Sequence, residues 1–252
     1  MVRQAGIRAP RGERIFDWVN IAFMVFLMFV MLYPLLHVLF ASVSDSNQLM
    51  SHTGVLLRPY GFTTAAYRAV FQNRIFASGY VNTIINVTLT IVLNVGLTTL
   101  GAFALSRRDL LFGKPLMLLI MFTMVFSGGL IPLYLLVKGL GITNTRWALI
   151  VPTAISAYNL IIMKTSFESI PESLFESARI DGANDFVVLL QIAVPVSLAV
   201  ISVMILFYGV EQWNAWFPAM IYLKERSLWP LQLVLREIVL FNTMNDMLTS
   251  VD

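Results

Sequence analysis

Residues 169–195 read SIPESLFESARIDGANDFVVLLQIAVP, a charged, glycine-broken segment between two long apolar runs. Glu172, Glu176, Arg179, Asp181 and Asp185 make it too polar to lie in hydrocarbon, so it reads as a handle at a membrane surface. Ser169 followed three residues later by Glu172 is a capping-box pattern, and Pro171 in the first turn forfeits no helical hydrogen bond. The spacing therefore predicts a helix that starts there. Glu172, Glu176 and Arg179 share a charged stripe, while Leu174, Phe175 and Ala178 form a small apolar one. Asp181-Gly182 reads as a stop, because glycine tolerates the left-handed conformation that ends a helix, and Asn184 or Asp185 can cap the next one. The expected shape is a short helix, a sharp turn and a second helix entering the bilayer. An ordinary amphipathic connector is the plain alternative.

Composition places the whole chain in the membrane class. Hydrophobic residues make up 58% and charged residues 12%, against about 25% charged in a typical soluble domain, which leaves too few charges for a water-exposed surface. The absence of cysteine excludes a disulfide framework and a thiolate metal site. No histidine–carboxylate cluster has metal-ligand spacing, so no metal and no cofactor are expected. No basic block with interleaved aromatics occurs, so nucleic acid is not an expected partner; lipid is. Nor does any nucleophile, base and orienter arrangement support a catalytic site.

Charge-free runs define the spans. Trp18–Ser44, Ile75–Ser106, Pro115–Val137, Trp147–Met163 and Phe186–Val210 lack Asp, Glu, Lys and Arg, and each suits the roughly 17–25 residues that cross about 30 Å of hydrocarbon. The fold class expected is an all-α integral membrane protein, a polytopic bundle of five spans. The fourth run is the shortest and contains Pro152, so its ends are the least defined. The first run lacks a small-x-small cleavage site and reads as a retained anchor. Lysines and arginines divide almost evenly between the two sides. The dense arginines before the first helix (Arg3, Arg8, Arg11 and Arg14) and at Arg107-Arg108 favour a cytoplasmic N-terminus.

The 169–195 string resembles the EAA coupling loop of ABC importer permeases, anchored here by Glu176, Ser177, Ala178, Asp181, Gly182, Ala183, Ile192 and Pro195. Ser177 replaces the first alanine of the triplet and Val194 the leucine before the proline. The resemblance extends over nearly the full chain. RPYGFTTAAYRAVF from Arg58, the NTI of Asn82 to Ile84, SRRDLLFGK from Ser106, FSGGLIPLYLLVKGLGITNTRWALIVP from Phe126 and FYGVEQWNAWFPAMIYL from Phe207 occur in the order seen in the carbohydrate uptake transporter-1 (maltose-type) permeases, and most resemble their LplC-like branch.

That resemblance implies a division of the chain. Residues 1–17 are a cytoplasmic tail, 18–44 the first membrane helix and 45–74 an extracellular segment. Residues 75–210 are the membrane core, with the cytoplasmic coupling loop at 164–185, and 211–252 lie on the extracellular side. A sixth helix typical of the family would follow but is absent, Arg236 and Glu237 interrupting the remaining apolar stretch; the chain then reads as a fragment or as a real departure. The resemblance further implies a bacterial inner-membrane, multi-pass permease that works with a paralogous permease as a heterodimer, a cytoplasmic ABC ATPase dimer and an extracellular solute-binding lipoprotein, importing oligosaccharides. No G-x-x-x-x-G-K-[ST] phosphate loop occurs, so ATP hydrolysis is expected in another chain and this one is not an enzyme. The coupling residues implied are Glu172, Glu176, Ser177, Ala178, Arg179, Asp181, Gly182 and Ala183, the small ones admitting close approach of a partner surface.

Sugars are held by amides, hydroxyls and aromatic faces, which makes Asn82, Asn86, Ser127, Gly128, Gly129, Tyr158, Asn159, Trp213 and Asn214 candidates for the solute path. Helix gluing is the simpler role for the amides, and interfacial anchoring for Trp213. Ser127-Gly128-Gly129 with Pro132 nearby predicts a broken membrane helix, tolerated where backbone lines a cavity. In a lone subunit Asn86 and Asn94 are expected to face lipid, so a partner should cover them. A proton- or sodium-coupled transporter is disfavoured, because His37 is the one ionisable side chain within the runs. A permease for a non-sugar solute, or a non-transporting membrane scaffold, remains the alternative.

Overall fold

Wherever a chain crosses hydrocarbon, its backbone N–H and C=O groups find no water and must pair internally, so helix is the form that apolar runs of this length take. The computed structural model describes residues 11–52, 54–107 and 109–249. Arg3, Arg8 and Arg108, which bear on the expected orientation, and Asp252 lie outside them. Two units divide between Asn73 and Arg74.

In the first unit α1 spans Arg11–Ser42, α2 Ser46–Ser51 and α3 Ala65–Gln72. Helix α1 is already formed at Arg11, ahead of the Trp18 at which the charge-free run begins, so Glu13, Arg14 and Asp17 lie on it. None of its most apolar window is buried within the chain. Asp45 caps α2 by accepting from the amides of Asn47 and Gln48 at 3.0 and 3.2 Å. The Tyr33 hydroxyl meets His37 Nδ1 at 3.3 Å and accepts from the Leu56 amide at 3.2 Å, which gives His37 a structural partner.

The second unit begins with α4 (Arg74–Thr90), continues through one wide π turn at Ile91–Val95, and ends as α5 (Gly96–Leu105). Helices α6 (Gly113–Val125) and α7 (Leu130–Gly139) meet at 114° across the Ser127-Gly128-Gly129 break, where Gly129 has φ +82°. Next come α8 (Trp147–Ile150), a 3₁₀ turn holding Pro152, and α9 (Ala157–Glu168), bent by 53°. After α10 (Glu172–Ile180) lie α11 (Asp185–Val188), a second π turn at Leu189–Ala193, α12 (Val194–Val196) and α13 (Leu198–Trp213), with an 85° bend just past Pro195. Helices α14 (Trp216–Tyr222) and α15 (Leu231–Thr249) complete the described chain. Among the described residues, by length and composition, there are two membrane-length apolar helices, or up to five spans when each bent pair counts as one. They coincide with the five charge-free runs.

Two apolar clusters hold this unit together. One joins Ala102, Phe103, Leu160, Met163, Phe167, Phe175 and Met204; the other joins Val137, Ala148, Leu149, Ala219 and Tyr222. Helix α15 seats closely on α4 at Gly79, where a Cβ would come within 3.2 Å of Leu231 Cα. Large apolar side chains such as Leu118, Phe122 and Leu206 point outward, as they do when the surrounding solvent is lipid.

Candidate functional site

Helix α10 stands on the surface with its charged stripe outward. Glu172, Glu176, Ser177, Arg179, Asp181 and Gly182 are exposed, while Phe175 and Ala178 are buried at 4% and 9%. Two expectations are corrected here. Ala178 turns inward, so its small size lets α10 approach the bundle rather than a partner, and Ala183 packs half-buried against the same cluster. The capping box does not form either. Ser169 instead closes α9, its hydroxyl donating to the Ser166 carbonyl at 2.7 Å, and α10 starts after Pro171 without a side-chain cap.

The turn after α10 has the form the sequence anticipates. Gly182 has φ +83°; the Ala183 amide donates to the Ala178 carbonyl at 2.9 Å and the Gly182 amide to Arg179 at 3.1 Å, the paired bonds of a Schellman end. Asn184 then caps α11, its Oδ1 accepting from the Val187 amide at 2.9 Å. Arg179 and Asp185 face each other across the turn at 4.0 Å. The Ser177 hydroxyl donates to the Ser173 carbonyl at 2.8 Å, which satisfies it within the helix. The result is a rigid, polar knob whose apolar side is fixed in the bundle.

The candidate path residues divide into two groups. Asn82, Asn86, Thr90, Asn94 and Thr98 recur every fourth position along α4, the π turn and α5 and are all buried, so this polar stripe faces the interior of the chain. The lipid-facing placement expected for Asn86 and Asn94 is therefore wrong, because α8, α9 and α13 already cover that side. Arg146 donates to Asn82 Oδ1 at 2.7 Å and Asn86 Oδ1 at 3.2 Å, and Asn82 Nδ2 donates to the Ser227 and Trp229 carbonyls at 2.7 and 3.0 Å. With both ends of its amide engaged, Asn82 is a structural lock and not a free solute contact. Asn94 Nδ2 reaches the Thr153 carbonyl at 2.8 Å, and the Tyr208 hydroxyl ties Thr98 to the Ser156 amide at 2.7 and 3.0 Å. Asn82→Leu should lower stability by roughly 1–2 kcal/mol, since it removes the partner of the half-buried Arg146 and of two carbonyls at a position where the Asn82 side chain is itself buried. Thermal unfolding in detergent checks this, and an unchanged midpoint would remove the lock.

The second group lines open grooves. Ser127, Gly128 and Gly129 border one of about 590 Å³ with Pro132 and Leu133. Tyr158 and Asn159 border another of about 520 Å³, and Trp213 and Asn214 a third of about 430 Å³. The last two share Leu206 and Val210 on α13, so these four residues are brought together along one helix. Asn159 itself is buried at 4%, whereas Tyr158 is 56% exposed.

The family of binding-protein-dependent transport system inner membrane components matches residues 98–219, from α5 into α14 and including the whole α10 knob. The polygalacturonan/rhamnogalacturonan transport system permease protein YtcP of Bacillus subtilis is 41% identical, over 92% of this chain and 80% of its own length. The chain belongs to this family. Protein LplC of the same organism is 36% identical over 92% of the chain and 78% of its own length. A bacterial ABC transporter involved in import of the acidic polysaccharide alginate superposes with a TM-score of 0.88 at 30% identity, covering 92% of this chain and 82% of that one. The protein is thus an inner-membrane permease subunit of a binding-protein-dependent ABC importer, and not a catalytic enzyme. Sequence reasoning missed Arg146 as the partner of the α4 amides and Arg107 as more than a flanking charge. Arg146 acts on Asn82 and Asn86, and Arg107 on Phe175 as well as on nearby Phe103; the distant partners are not revealed by spacing along one helix.

Proposed function

We propose that this permease imports oligosaccharides as one half of a heterodimer with a paralogous permease. An extracellular lipoprotein delivers the solute, and a cytoplasmic ATPase dimer docks on Glu172, Glu176, Ser177, Arg179, Asp181 and Gly182. The N-terminus and α10 then lie in the cytoplasm, with residues 45–74 and the segment from Glu211 on the outer side. The observation that carries this reading is the exposed acidic face of α10, ended by a glycine turn and anchored by Phe175 and Ala178 in the bundle core. Closure of the ATPases would move α10 as a lever and, through its buried face, the helices packed behind it.

The solute class follows from the relatives, whose names specify polygalacturonan/rhamnogalacturonan and alginate. Ser127, Gly128, Gly129, Tyr158, Trp213 and Asn214 line the path in this reading. Their grooves combine backbone, amide and aromatic faces, the groups that hold sugars. Reconstitution of this chain with the second permease and the ATPase in proteoliposomes tests the assignment. ATP-dependent uptake of a galacturonate oligomer presented by the binding protein is expected, with no uptake when either permease is omitted. Full uptake by this chain without the paralogue would overturn the heterodimer, and no uptake of any oligosaccharide by the full assembly would overturn the solute class.

A further inference from the structure

Arg107 follows α5, outside the membrane-spanning run, and its side chain is layered between two helices. The guanidinium carbon lies 4.1 Å over the Phe103 ring of α5 and 4.0 Å over the Phe175 ring of α10. Phe167 of α9 meets Phe103 edge-on, with centroids 6.1 Å apart and planes at 85°. All three rings are buried, and the half-buried guanidinium lies over two of them, where partial removal from water strengthens cation–π attraction. Arg107 Nε and Nη2 are themselves buried and have no hydrogen-bond partner among the described residues. They border a cavity of about 160 Å³ shared with Ser106, Glu168, Ile170 and Glu172. Burial first, and then Arg179, hold the guanidinium below the ordinary arginine pKa, while Glu172, Asp185 and Asp109 pull the other way.

Among the described residues, Phe175 and Ala178 are the buried side chains of α10, so the Phe175 ring is a main point of attachment of this helix to the bundle. A planar, weakly hydrated guanidinium stacks on aromatic faces, whereas a lysine ammonium is a compact, strongly hydrated point charge on a flexible stem and holds two rings less well. We propose that Arg107 is the joint between α10 and α5, a positioning residue that carries displacement of α10 into the long helical run Arg74–Leu105. The proposal rests on the reading of α10 as the ATPase contact. It makes Arg107 necessary for coupling ATP hydrolysis to transport rather than for docking of the ATPase.

The test uses the complete reconstituted transporter and reads solute moved per ATP hydrolysed. Arg107→Met keeps the reach of the side chain without its charge. It should leave the amount of subunit and of bound ATPase unchanged while lowering that ratio about tenfold, the order expected for losing a pair of partly buried cation–π contacts. Arg107→Lys should fall between Met and wild type. Phe175→Leu should produce a comparable deficit, and the double variant Arg107→Met/Phe175→Leu no larger one than Arg107→Met alone, since both substitutions break the Arg107–Phe175 contact that spans the two helices. A wild-type ratio in Arg107→Met, or independent losses that multiply in the double variant, would overturn the joint. Should Arg107→Met fail to accumulate in the membrane, Phe175→Leu decides alone, and a wild-type ratio there overturns it equally. Crosslinking from α10 to the ATPase in the same preparations separates the two readings. A retained adduct with an unchanged ratio removes only the joint, whereas loss of any adduct in wild type removes the docking site itself.

Discussion

Gly182→Leu should abolish solute uptake while leaving the subunit in the membrane. Gly182 holds φ at +83°, and a residue with a side chain pays about 1–2 kcal/mol in that region. Both Schellman bonds, from Ala183 to Ala178 and from Gly182 to Arg179, depend on that conformation, so the knob would lose its shape at the tip. Within the chain a Cβ on Gly182 meets nothing within 4 Å. The bundle therefore remains intact, and the new side chain projects into the space a docking surface would occupy. Gly182→Asn separates the two effects, because asparagine tolerates the left-handed region; it should retain more uptake than leucine. Uptake assays paired with membrane immunoblots check the set. Normal transport by Gly182→Leu would show that the turn is not closely approached.

Glu176→Lys should have an effect of similar size through charge instead of shape. Glu176 is exposed on the outer face of α10, one helical turn from Glu172, and its reversal alters no packing within the chain. Opposed to basic groups on an ATPase, a lysine would turn attraction into repulsion, which can cost several kcal/mol where an interface excludes water. Co-purification of the ATPase should fall sharply. Raising ionic strength should restore part of it for contacts at the rim, which salt screens within a Debye length of about 8 Å. Undiminished co-purification at low salt would place the ATPase contact elsewhere.

The spans were readable because hydropathy is a local property: a charge-free run must find an apolar environment, and a helix is the form that environment permits. The break at Gly128-Gly129 and the stop at Gly182 were legible for a related reason, since backbone freedom belongs to the residue itself. Side-chain roles were less so. Ser169 fits a capping box and a helix-closing hydroxyl equally well, and the choice fell to the preceding helix α9. The α4 amides look like a solute path until Arg146, sixty residues further on, and the carbonyls of Ser227 and Trp229 are seen to engage them. Ala178 illustrates the same limit, because a small residue permits close approach on either side of a helix and only packing decides which. The π turns at Ile91–Val95 and Leu189–Ala193 left no mark in the pattern that spacing could register.

The chain contains no cysteine, so a single one can be placed on the coupling face without a competing thiol. Ser177→Cys is suited to this, because Ser177 is exposed and, among the described residues, its hydroxyl bonds within its own helix. The measurement is photo-crosslinking from a benzophenone maleimide on that cysteine in the assembled transporter, alongside labelling of intact cells with a membrane-impermeant maleimide. An adduct with the ATPase subunit is expected, its yield changing when ATP is added, with no labelling from outside. Labelling from the outer side, together with no ATPase adduct, would contradict α10 as the cytoplasmic motor contact.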